Sequence, residues 1–123
     1  TTTVDRGAEM ARAEKADLVI GVGGGSAMDA AKAIALASGG TVPIWTYAER
    51  KLVIGRVPPI LQIPTLAGTG AETSGGAVVT NWETHTKKSI ISPFVRAKVA
   101  IIDPELTLTV PQASMKAGAV DAF

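Results

Sequence analysis

The chain has 123 residues, 12 Lys and Arg against 11 Asp and Glu, a formal net charge of +1 and a hydrophobic share of 46%. That length suits one compact domain, the apolar share suits a packed core rather than disorder, and the balanced, scattered charge argues against a nucleic-acid surface. No apolar run is long enough to span a bilayer, which predicts no membrane partner. With no cysteine and one histidine, a disulfide, a thiolate metal site and a His-rich metal site are all excluded from this stretch, and the composition fits a cytoplasmic protein. The sequence opens on Thr1 and stops inside an apparent helix, as expected of part of a longer chain.

Residues 5–15 are rich in Ala, Glu, Met and Arg and predict a helix with a weak apolar face from Ala8, Met10 and Ala11. Leu18, Val19, Ile20 and Val22 then form a short apolar run of the kind a parallel sheet buries on both faces. Gly23, Gly24 and Gly25 follow at once. Ser26 stands at the predicted N-cap of the next helix, and Asp29 completes an S-x-x-D capping pattern. Glycines let the backbone turn tightly and approach a ligand, and a helix start presents free amides and a positive dipole end that suit a phosphate. The alternative is an ordinary strand-to-helix turn with a cap. The absence of Gly-Lys-Ser/Thr after the glycines excludes a Walker A loop. The helix turns Met28, Ala31, Ile34, Ala35 and Leu36 toward a core and ends at Gly39-Gly40.

Residues 41–59 predict a connection with a short helix, in which Trp45 and Tyr47 cover a core edge rather than stack on a base, followed by the charged cluster Glu49, Arg50 and Lys51. Residues 60–63 read as an apolar strand closed by Pro64. A second glycine-bearing loop, 65–74, follows it, rich in hydroxyls and again just past a strand end, where open α/β sheets bind ligands. Its alternative reading is a Ser/Thr turn that caps its own backbone. Residues 77–81 and 89–91 flank a polar stretch and predict a hairpin. His85 in its tip reads as solvated, and Lys87 and Lys88 as solvated charges or contacts to a phosphate or ribose. Residues 99–102 predict another buried strand ended by Asp103-Pro104, and Pro111 opens a final helix through Met115 and Val120.

Taken together, G-G-G-S-x-x-D-x-A-K at 23–32, P-T-x-A-G-T-G-x-E at 64–72, I-D-P-E-L-T at 102–107 and V-D-A-F at 120–123 occur in order over nearly the whole chain. In this the chain resembles the iron-containing, metal-dependent alcohol dehydrogenases of group III. The resemblance implies an α/β fold with a Rossmann-like parallel sheet, helices on both faces and a β-hairpin. It also implies NAD or NADP as cofactor and Fe²⁺ or Zn²⁺ as metal. Residues 1–123 would then be a partial dinucleotide-binding domain whose last residues begin the helix leading to a helical metal-binding domain absent from this stretch. By match to the family motifs, Gly24, Gly25, Ser26 and Asp29 contact the pyrophosphate and nicotinamide side, and Thr65, Leu66, Thr69 and Ser74 line the rest of the dinucleotide. The family's cofactor-contacting lysine falls on Lys87, with Lys88 beside it. Asp121 matches the first metal ligand, against the plain reading of an acidic residue on a helix.

The family completes its metal site with three histidines, the first of them four residues past that aspartate, and the chain ends before that point. The expectation is therefore an oxidoreductase that interconverts a small alcohol and an aldehyde or ketone by metal-assisted hydride transfer, present here as an inactive piece with no catalytic residue of its own. Exposed sheet edge and apolar surface lead to a homo-oligomer as the expected state. The rival is a non-catalytic nucleotide- or phosphate-binding α/β module using the same loops.

Overall fold

A computed structural model describes residues 1–50, 52 and 56–122. Lys51 of the charged cluster and Phe123 of the closing motif lie outside the described residues. The elements run α1 (Thr2–Ala13), β1 (Val19–Gly23), α2 (Gly25–Ser38), α3 (Ile44–Glu49), β2 (Ile60–Pro64), β3 (Gly76–Asn81), β4 (Thr86–Ile91), β5 (Val99–Ala100) and α4 (Gln112–Asp121), with 3-10 turns at Pro93–Val95 and Pro104–Thr107. β1, β2 and β5 form a parallel sheet in that order, in a register that runs from Val19 opposite Ile60 to Gly23 opposite Pro64. Parallel neighbours need a crossover. α2 and α3 lie in the first one, and the antiparallel β3–β4 hairpin lies in the second.

α2 is the middle layer. One side rests on β1 and β2, and the other on α1 and the hairpin. Its alanines make this possible, because small side chains let three partners come close. A Cβ at Gly21 would fall 2.8 Å from that of Ala31, so β1 supplies a glycine where the helix sits on the sheet. α1 approaches from the other side through Gly7, whose added Cβ would lie 2.7 Å from Ile34 Cδ1. The core joins Val4 and Ala8 of α1, Leu36 and Ala37 of α2, Ile44 of α3, and Val79, Ile90 and Val95 around the hairpin, with Trp45 and Tyr47 packed at its edge as expected. Fully burying a side chain such as Leu36 or Ile44 contributes about 1.5–3 kcal/mol. The Asp5 carboxylate ties α1 to α3 by accepting the amide of Ile44 at 2.6 Å.

Three local expectations are corrected. The N-cap of α2 is Gly24, not Ser26, and no side chain caps that end. The backbone turns into the helix two residues earlier than the S-x-x-D pattern implies, because Gly23 takes a φ of +142° that completes the turn at once. β1 is not buried on both faces: Gly21 points into the core, while Ile20 and Val22 are about half exposed, at 52% and 55%. Residues 99–102 form a strand of only two residues, Val99 and Ala100, and both are exposed. On β1 the side facing α2 is packed and the other is uncovered, whereas β5 is exposed on both. In α1, Val4 joins Ala8 as the buried pair, and Met10 faces outward.

Candidate cofactor cleft

β1 and β2 end side by side, and each runs directly into a glycine loop. The amide of Thr65 donates to Gly23 O at 3.0 Å, which pins the start of the second loop beside the first. Gly23 is required on two counts, its positive φ and the 2.8 Å that an added Cβ would leave to Ala27 Cβ. The amides of Ala27 and Met28 turn back to Gly24 O, which leaves those of Gly25 and Ser26 as the free amides of the helix start. Gly25 faces the second loop: its added Cβ would stand 3.2 Å from Thr69 Cβ and Cγ2.

A cleft of about 780 Å³ opens at this junction, within the range of small-molecule sites. Of the residues matched to the family, it brings together Gly25, Ser26, Asp29, Thr69, Lys87 and Asp121. An adjoining hollow of about 450 Å³ adds Ser74 and shares Asp29 and Thr69. Gly24 is the N-cap residue of α2, next to the free amides. Thr65 is half-buried just past β2, and Leu66 lies between the helix cap, its Cδ2 3.9 Å from where a Cβ at Gly24 would stand, and a small apolar pocket that it lines with Val110 and Met115. Lys87 is on β4 opposite Thr80, and Lys88 is turned elsewhere, donating to Glu49 at 3.3 Å with its ammonium 5.0 Å from the centre of the Trp45 ring. That geometry separates the two lysines, with Lys87 on the cleft side. His85 is exposed in the hairpin turn, with a left-handed φ of +50°.

Two of the matched side chains are already occupied. Asp29 Oδ2 accepts the amide of Val78 at 3.0 Å, and Oδ1 faces Lys32 Nζ at 3.4 Å. Ser74 Oγ accepts from Lys32 Nζ at 3.0 Å. Lys32, the last residue of the 23–32 motif but given no role by it, is fully buried on α2, and burial pushes its pKa below the ordinary lysine value while the nearby Asp29 carboxylate partly restores it. Its signal in the sequence is the D-x-x-K spacing, which puts the two groups on one helix face, inside an otherwise alanine-rich run. Trp82, exposed just past β3, also lines the cleft, a position that the hairpin reading leaves to solvent.

α4 carries Asp121 to the cleft through a contact made of backbone. Gly68, at a φ of +99°, has Gly118 so close that an added Cβ would meet its carbonyl oxygen, and a Cβ at Gly118 would lie 2.5 Å from Ala67 O. The dinucleotide fits this arrangement: free helix-start amides, two glycines on the approach and hydroxyls on the facing loop. A metal does not fit the described residues by themselves, since no three His, Cys, Asp or Glu side chains among them converge and Asp121 is a single exposed carboxylate. Among the described residues no helix is long and apolar enough to cross a membrane.

The iron-containing alcohol dehydrogenase family model matches residues 1–104. The chain belongs to that family. Among curated relatives, NADH-dependent butanol dehydrogenase A of Clostridium acetobutylicum is 38% identical over 120 residues, 98% of this chain and 31% of that protein. Among solved structures, NADH-dependent butanol dehydrogenase A from Thermotoga maritima superposes with a TM-score of 0.91 at 39% identity, covering 98% of this chain and 30% of that one. Sulfoacetaldehyde reductase from Bifidobacterium kashiwanohense, solved in complex with NAD⁺, gives a TM-score of 0.91 at 37% identity over 98% of this chain and 32% of that one. The chain thus spans about 31% of the length of the curated relatives it matches. These likenesses agree with the parallel sheet, the helices and the hairpin expected from the motifs.

Proposed function

We propose that this chain is the dinucleotide-holding part of an NAD-dependent alcohol dehydrogenase of the iron-containing family. The observation that carries the reading is the junction itself, where two glycine loops leave adjacent parallel strands and meet at the start of α2 with Gly25 packed against Thr69. The amides of Gly25 and Ser26 bind the pyrophosphate, helped by the helix dipole. Gly24 keeps that approach open. Thr65, Leu66, Thr69 and Ser74 form the wall of the second loop, and Lys87 offers its ammonium to a ribose or phosphate from the hairpin side. Asp29 holds the hairpin amide of Val78, so its part is to shape the nicotinamide side of the cleft. When bound, the nicotinamide supplies the hydride acceptor or donor for a small alcohol or aldehyde. The chain's own residues fix where that ring stands. NAD is preferred over NADP because the relatives above are named for NADH or solved with NAD⁺.

Asp121 is the chain's contribution to a metal, Fe²⁺ in the family's name, with Zn²⁺ as the other option. One carboxylate does not hold either ion, so no step is assigned through it. That favours binding without turnover in the isolated chain, which is also what a non-catalytic nucleotide module predicts. Titration separates the two. The expected result is NADH binding with little affinity for ATP, and no alcohol oxidation with NAD⁺ and added Fe²⁺. Preference for ATP supports the nucleotide-module reading, and turnover refutes the assignment of Asp121 as an incomplete site.

A further inference from the structure

Lys32 lies two turns into α2, with its side chain fully buried. Its ammonium donates to Gly76 O at 2.8 Å and to Ser74 Oγ at 3.0 Å, and it meets Asp29 Oδ1 at 3.4 Å. Its acceptors belong to α2, to the end of the second glycine loop and to the first residue of β3. The other oxygen of Asp29 holds the Val78 amide of the same strand. One charged pair therefore stitches the helix that starts the cleft to the loop and hairpin that form its far walls. The remaining charges around it are Glu72 on the second loop, whose carboxylate favours the ammonium, and Arg96 beyond β4, which opposes it. Arg96 also fastens that loop by donating to Thr73 O at 3.0 Å. Cohesion alone does not call for such a pair, because apolar side chains of similar volume often serve a buried position as well or better. Directed contacts to three separate segments serve geometry.

We propose that Lys32 is a positioning residue of the cleft, whose ammonium holds residues 74–76 and, through Asp29, the hairpin at the spacing that admits a dinucleotide. Lys32 touches no cofactor, because its side chain is fully buried and all three of its hydrogen bonds go to the protein. The inference rests on the cleft being a NAD site.

The chain has no cysteine, so Lys32→Cys introduces a unique thiol. Alkylating the unfolded variant with 2-bromoethylamine restores an ammonium at lysine length. Alkylating it with 1-bromopropane gives an uncharged side chain of equal length. After refolding, NADH affinity is read by fluorescence titration and folding by cooperative thermal unfolding. The aminoethyl protein is expected to bind close to the unaltered chain, and the propyl protein on the order of tenfold more weakly, the loss of about one charge-assisted hydrogen bond. Equal affinity of the two alkylated proteins overturns the proposal. The sulfur lowers the pKa of the restored amine, so the alkaline fall in NADH affinity should move to lower pH in the aminoethyl protein. An unmoved profile also overturns the proposal, and this comparison needs no folded propyl protein. If the unaltered chain binds no NADH, the NAD reading fails and takes this inference with it, whereas NADH binding indifferent to the ammonium removes the inference alone.

Discussion

Gly24→Ala separates what the fold needs from what a ligand needs. The backbone at Gly24 has φ −80° and ψ −177°, which alanine adopts freely, and the new methyl would stand 3.9 Å from Leu66 Cδ2 in ordinary contact. Alanine is a poorer N-cap than glycine by about 0.5–1 kcal/mol. It also lowers the entropy of the unfolded chain, which returns about 0.4–1 kcal/mol. The two nearly cancel, so the midpoint of thermal unfolding should move by no more than about 6 °C. Binding is another matter. The methyl stands beside the free amides of Gly25 and Ser26, where a pyrophosphate oxygen must come within hydrogen-bond distance. Losing one hydrogen bond to a charged group costs about 1.5–3 kcal/mol, which is roughly 10- to 100-fold in Kd. The assay is NADH titration beside a thermal melt of the same sample. An unchanged Kd would refute the placement of the pyrophosphate. A large drop in stability would refute the claim that the glycine serves the ligand rather than the fold.

Two further outcomes follow from the same geometry. Burial lowers the pKa of Lys32 below 10.5, so between the lowered value and 10.5 the unfolded chain keeps a proton that the folded chain has shed, and stability from this group rises with pH. Urea unfolding at pH 8, 9 and 10 should show that rise relative to Lys32→Met, and a flat difference would refute it. The alternation of the parallel sheet places Ile20, Val22, Leu61, Ile63 and Val99 on the side away from α2, and Ile20, Val22 and Val99 are about half exposed. Sedimentation velocity on the isolated chain should show self-association that Ile20→Lys with Val22→Lys reduces, and a monodisperse unaltered monomer would count against it.

The motifs reveal most of this architecture because they sit at strand ends. A short apolar run followed by glycines marks β1 and the turn into α2, and the same grammar marks β2 and the second loop. The hairpin was legible from two β-rich runs around a polar tip. Burial was harder to read. Ile20 and Val22 look like core residues by type, yet which sheet face is covered depends on elements distant in sequence. Ser26 looks like a cap, but the positive φ available at Gly23 ends the turn before the serine is reached. Lys32 is a further case. It closes the 23–32 motif, which says nothing of burial, and only the return of residues 74–76 over α2 reveals that it is buried. Asp121 and Lys87 reach the same cleft from elements with no local sequence link, which composition and periodicity do not encode.

The contact between Gly68 and Gly118 has a mechanical side. Two glycine backbones in contact fix how closely α4 approaches the second loop, and Leu66 and Met115 beside them share one small apolar pocket. Val120 of the same helix faces outward, 77% exposed, and Met115 is about half exposed, at 47%. A side chain at either glycine would push α4 off the loop and carry the carboxylate of Asp121 away from the cleft.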